Sequence, residues 1–100
     1  MANLGTKNHT AGNLTIYTAD YDAWLDDGVS LAAGATVVLD PAFTATVTDV
    51  TISSIVVHPR HITFMLAGGS VNEVFTLDVQ VTDSRGEIRN DTCGFRVVAP

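Results

Sequence analysis

Alternation of apolar and polar residues is clearest in the last quarter of the chain. Phe75, Leu77, Val79 and Val81 are apolar, and Thr76, Asp78, Gln80 and Thr82 between them are polar. A period of two predicts a strand with one face in a core and one in water. Asp83-Ser84-Arg85-Gly86 predicts a reversal, with Gly86 free to take a positive φ. Glu87 to Val98 then predicts a second strand, with Cys93, Phe95 and Val97 on its inner face. A four-residue loop sets Val81 opposite Ile88 and needs a bulge near Asn90-Asp91 to return Cys93 and Phe95 to that face. A three-residue loop needs no bulge but sets Val81 against Arg89. The bulged register is the expectation.

Upstream, Asn13 to Ala19 alternates well enough for a strand, and Asp26-Asp27-Gly28 and Ala32-Ala33-Gly34 close turns around the short run Val29 to Leu31. Ala35 to Leu39 predicts a strand ended by Asp40-Pro41, since proline restricts its predecessor and lacks a ladder donor. Phe43 to Val47 alternates with Thr44 and Thr46 and predicts another strand. Val50 to Val57 changes phase at Ser53-Ser54, where a bulge is expected. His58-Pro59-Arg60 breaks the run before the strongly apolar strand His61 to Ala67, and Gly68-Gly69-Ser70 turns into the hairpin. The pattern of seven or eight short strands with turn signals between them is that of an antiparallel all-β sandwich or small barrel. Met1 to Gly12 is polar and has little to bury, which predicts an N-terminal arm, mobile in the free monomer, ahead of a single β-sandwich domain over 13–100.

Composition agrees. The chain has 100 residues, 46% hydrophobic and 16% charged, with a formal net charge of −6. That size suits one domain, and the acidic balance argues against a nucleic-acid partner. No stretch approaches the length that spans a membrane and no signal-peptide run opens the chain, so an intact, soluble protein made in the cytosol, with no membrane partner, is the expectation. Cys93 is the single cysteine, which rules out an internal disulfide and predicts a buried, inert thiol.

Candidate chemistry is sparse. Asp20, Asp22, Asp26 and Asp27 form the densest acidic cluster, but their spacing does not fit a calcium loop and a solvated turn is the reading. His58 and His61 flank a turn without further ligands, and His9 lies in the arm. Residues for a serine-histidine-acid triad are present, but no Gly-x-Ser-x-Gly elbow occurs. Three N-x-T sequons, at Asn8, Asn13 and Asn90, are chance matches in a Thr-rich chain without a secretion signal. Neither enzymatic activity, nor a cofactor, nor a bound metal is expected. Tyr17, Tyr21 and Trp24 lie close together beside the aspartates. They either fill the edge of the core or form a protein interface or, third, a glycan site.

From about Ile55 to Val97 the chain resembles small immunoglobulin-like sandwich domains of tailed-bacteriophage structural proteins, the fibre-tail adaptor or virion-associated group. The carrying residues are Ala67-Gly68-Gly69-Ser70-Val71, the alternating Val74 to Thr82, the turn Asp83-Ser84-Arg85-Gly86-Glu87 and the closing Cys93-Gly94-Phe95-Arg96-Val97. Here Arg85 precedes Gly86 instead of following it, and an aspartate replaces the usual Thr or Ser. The resemblance implies an immunoglobulin-like fold and a virion component: a capsid decoration protein, a head-fibre base or a tail adaptor. It further implies docking on other capsid or tail proteins, as a homo-oligomer or in many copies on the particle. A carbohydrate-binding module built on Tyr17, Tyr21 and Trp24 is the alternative.

Overall fold

The computed structural model describes residues 2–100, with side chains from Gly5 onward. The strands are β1 (Ala2–Thr10), β2 (Leu14–Asp20), β3 (Thr36–Leu39), β4 (Val50–Val57), β5 (His61–Gly68), β6 (Val74–Thr82) and β7 (Ile88–Val98). They form two sheets, in the orders β1-β7-β6-β3 and β2-β5-β4, whose inner faces close on one core. The fold is thus an all-β sandwich.

The hairpin β6–β7 supplies seven of the sixteen buried apolar residues of that core. Phe75, Leu77, Val79, Val81, Cys93, Phe95 and Val97 are all buried, as their alternation predicts. They meet Ile62, Phe64 and Leu66 of β5, with Phe75 and Phe95 stacked at 5.6 Å between ring centroids. Each such aromatic or aliphatic side chain contributes roughly 1.5–3 kcal/mol of burial.

The register corrects the expected bulge near Asn90-Asp91. Pairing runs unbroken from Val74↔Arg96 to Thr82↔Ile88, with Val81 opposite Arg89. A three-residue loop makes this possible: Asp83 N–H donates to Glu87 O, Gly86 N–H donates to Asp83 O, and Gly86 sits at φ 86°. Two facts make the register tolerable. Ile88 falls on the solvent side at the hairpin end, 61% exposed. Arg89 turns to the rim, where its guanidinium pairs with Asp91 at 2.8 Å and lies over the Trp24 ring.

Three further departures have clear causes. The N-terminal segment read as a mobile arm is β1, which pairs with β7 in parallel, so the sandwich is not wholly antiparallel. Backbone pairing and buried His9 hold this strand, and hydropathy registers neither. The strand expected over Phe43 to Val47 is a 3-10 turn (Pro41–Phe43) followed by further turns. Pro41 opens it, the Asp40 carboxylate accepts from Ala42 N–H, and the Thr44 hydroxyl donates to Pro41 O. Lastly, β2 presents Leu14 and Ile16 to solvent and turns Tyr17 and Ala19 toward the core. The bulge expected in β4 is present: the register shifts between Ser53 and Val56, and Ser54 has φ 52°.

Candidate interaction surface

The three aromatic residues singled out in the sequence separate into two settings. Tyr17 points inward from β2, its ring edge-on to Phe95 at 4.9 Å and tilted on Phe64 at 6.0 Å. Its hydroxyl lies 2.7 Å from Nδ1 of fully buried His9, whose Nε2 is 3.1 Å from Gly68 O. A carbonyl only accepts, so Nε2 donates to Gly68 O, and the Tyr17 hydroxyl beside Nδ1 also lies 3.4 Å from Asn8 O. Three strands, β1, β2 and β5, are joined through this one imidazole. Burial raises the Tyr17 phenol above its ordinary value.

Tyr21 is also buried, edge-on to Trp24 at 5.9 Å. Burial, then the neighbouring Asp91 carboxylate, pushes its phenol well above the ordinary range. Trp24 is half-buried beneath the Arg89 guanidinium at 5.2 Å. These residues fill the core and its rim. Of the three, Tyr21 lacks the accessible ring that a stacked sugar or a partner requires.

The acidic loop that follows β2 is organised by arginine. Arg60, in the turn between β4 and β5, donates to the carbonyls of Leu25 (2.8 Å), Asp22 (2.9 Å), Val29 (3.0 Å) and Asp26 (3.4 Å). It also pairs with the Asp22 carboxylate. A planar guanidinium with five donors can satisfy several carbonyls at once. Arg85 adds a bridge to Asp26 at 3.1 Å while holding Asp83 and Glu87 in the hairpin turn. Among the described residues, no His, Cys, Asp or Glu cluster is arranged to hold a metal ion. His58 and His61 stack on each other at 4.3 Å and close their turn through His58 N–H to His61 O. Cys93 is buried, and burial raises its thiol above the ordinary value.

The two outer faces of the sandwich differ in chemistry. On the β3-β6-β7 side, Thr36, exposed Val38, Asp78, Gln80 and Asn90 line a shallow depression of mixed polarity, with Gln80 Nε2 donating to Asn90 Oδ1 at 2.9 Å. On the β2-β5-β4 side the registered rows are Leu14–Ala67–Thr51, Ile16–Met65–Ser53 and Thr18–Thr63–Val56. No charged residue occurs in these rows, which are bounded by Asp20–His61 at one end and by Asp49, two residues before Thr51, at the other. Leu14, Ile16 and Val56 are 59%, 61% and 48% exposed. A face without charge that exposes several aliphatic side chains among threonines and a serine is suited to contact with another protein. One sequence signal pointed to it. β5 is apolar on both faces, with Met65 and Ala67 behind Ile62, Phe64 and Leu66, as in a strand covered on both sides.

Residues 10–96 match the family model described as podophage GP4 fiber-tail adaptor protein gp77. The chain belongs to that family. A comparison with curated proteins returned no match. Membership in the fiber-tail adaptor family implies a place in the virion beside tail and fibre proteins. The matched region begins at Thr10, so β2 to β6, most of β7 and the whole apolar face lie within it. Among the described residues no helix is long and apolar enough to cross a membrane.

Proposed function

We propose that this chain is a non-enzymatic structural component of the phage particle that joins tail and fibre by docking through the outer face of β2, β5 and β4. The supporting observation is that face: charge-free over three registered rows, with Leu14, Ile16 and Val56 largely exposed. A face of this composition loses apolar area to water when free and regains it when covered. Tail adaptor is favoured over capsid decoration or head-fibre base because the family description is that of a fiber-tail adaptor. Several copies on a symmetric particle make a modest contact effective. Trp24 at the rim contributes surface to a contact, while Tyr17 and Tyr21 brace the wall behind it. Neither nucleic acid nor membrane is required, and the protein reaches the virion from the host cytoplasm. The strand orders β2-β5-β4 and β3-β6-β7 support reading the sandwich as immunoglobulin-like, with β1 joined to its last strand.

Val56→Asp and Met65→Lys test the face without touching the core. Each variant is expected to fold with an unchanged circular dichroism spectrum and to be missing from purified particles. Wild-type incorporation of both folded variants refutes the docking face.

A further inference from the structure

The sandwich has four edge strands, and three are guarded. β1 has a register shift between Asn3 and Thr6, and Gly5 there sits at φ 93°. β3 has four residues and ends at Asp40-Pro41. β4 has the bulge at Ser54. Bulges, short length and proline are the devices by which edges avoid pairing with other chains. β2 has none of them. It runs seven residues in unbroken register with β5, without proline, lysine or bulge.

Its free groups can be assigned. Gly68 N–H donates to Asn13 O and Tyr21 N–H donates to Arg60 O, so the odd-numbered residues of β2 face β5. The N–H and C=O groups of Leu14, Ile16, Thr18 and Asp20 therefore point away from the sheet, and all four residues are exposed. The edge is also polarised. Asp22 pairs with Arg60, and Asp26 shares Arg85 with Asp83 and Glu87, but among the described residues Asp20, the last residue of β2, has no ion pair.

We infer that the edge of β2 accepts an extended strand from another virion protein, antiparallel, with a Lys or Arg at the strand's N-terminal end beside Asp20. Its body is uncharged, with apolar side chains at alternate positions that lengthen the Leu14–Ile16 face. A second copy of this chain fits less well. It has a net charge of −6, and antiparallel pairing over the whole of β2 sets Leu14, not a cation, opposite Asp20. The inference rests on the docking role proposed above and adds its mode and partner chemistry.

The test uses the full chain and an acetylated peptide of alternating valine and threonine preceded by two lysines. Residue-resolved amide exchange is expected to slow at Leu14, Ile16, Thr18 and Asp20 on peptide addition. Affinity is expected to exceed that of a glutamate-led peptide by about fivefold at low salt, with the preference reversed in Asp20→Lys. The inference is overturned by unchanged exchange at those amides, by slowing at another edge instead, by equal affinities, or by self-association that protects the same amides. In particles, Thr18→Pro removes one outward N–H from an edge where proline is tolerated. Folded Thr18→Pro protein assembling at wild-type level sinks the strand-acceptor inference. Val56→Asp and Met65→Lys judge the docking face separately.

Discussion

Arg60 does for the loop from Tyr21 to Ser30 what a bound cation does in other acidic loops. Its donors reach four backbone carbonyls and one carboxylate, so the loop's aspartates can remain exposed while its backbone is fixed. Lysine keeps the charge but has three donors on a flexible stem. Arg60→Lys is expected to lower stability by about 1–3 kcal/mol and to speed amide exchange across the loop, as read from urea denaturation and exchange rates. Unchanged loop exchange counts against this role. Asp83 makes a second case. Burial opposes its ionisation, but Glu87 N–H and the Arg85 side chain and N–H outweigh that and hold its carboxyl below the ordinary aspartate value. The sign follows: its stabilising share is complete above the ordinary value and is lost as pH falls through the lowered one. Acid titration is expected to loosen the β6–β7 turn in that window, and Asp83→Asn should remove the pH step there. A step that survives Asp83→Asn belongs to another carboxylate.

At the scale of elements, β1 is part of the fold. His9 joins Tyr17 and Gly68 from it, and its ladder covers the edge of β7 beside Phe95 and Val97. Removing residues 1–12 is expected to cost more than about 2 kcal/mol, read as a lower urea midpoint, because a buried network loses its centre. A truncated chain of unchanged stability contradicts this. Gly68 is equally constrained: at φ 87° an added Cβ runs into Asp49 O, a contact with backbone that cannot move aside cheaply. Gly68→Ala should therefore destabilise by well over the roughly 1 kcal/mol of a compatible glycine replacement. The hairpin was readable from sequence because eight residues alternate without a break and β7 repeats the code. The phase of β2 was not, since Leu14 and Ile16 look like core while Tyr17 and Ala19, two small or polar-tipped residues, hold the inner positions. β1 was hidden for another reason: its stability resides in backbone pairing and one histidine. The expected 43–47 strand failed because local Asp-Pro and Thr chemistry outcompeted a weak alternation.

Across the whole molecule, charge is unevenly spread, while exposed aliphatic side chains occur on both outer faces. The carboxylates of the Tyr21–Ser30 loop and the arginines that hold it gather at one end of the sandwich, whereas the β2-β5-β4 face has three rows without charge. Most of the candidate surface was invisible in the sequence, because it depends on which strands align their outward residues. Of the three aromatic residues that drew attention there, Tyr21 is buried in the core, and Tyr17 and Trp24 pack against it partly buried. In the proposed docking role, a face without charge on an acidic protein favours one orientation against a neighbour. Cryo-electron microscopy of the intact particle, at a resolution that shows side chains, tests this most directly. The expected result is density from a neighbouring tail or fibre protein covering Leu14, Ile16, Val56 and Met65. Particles in which those four side chains face solvent, while the β3-β6-β7 face makes the contact, would contradict the account.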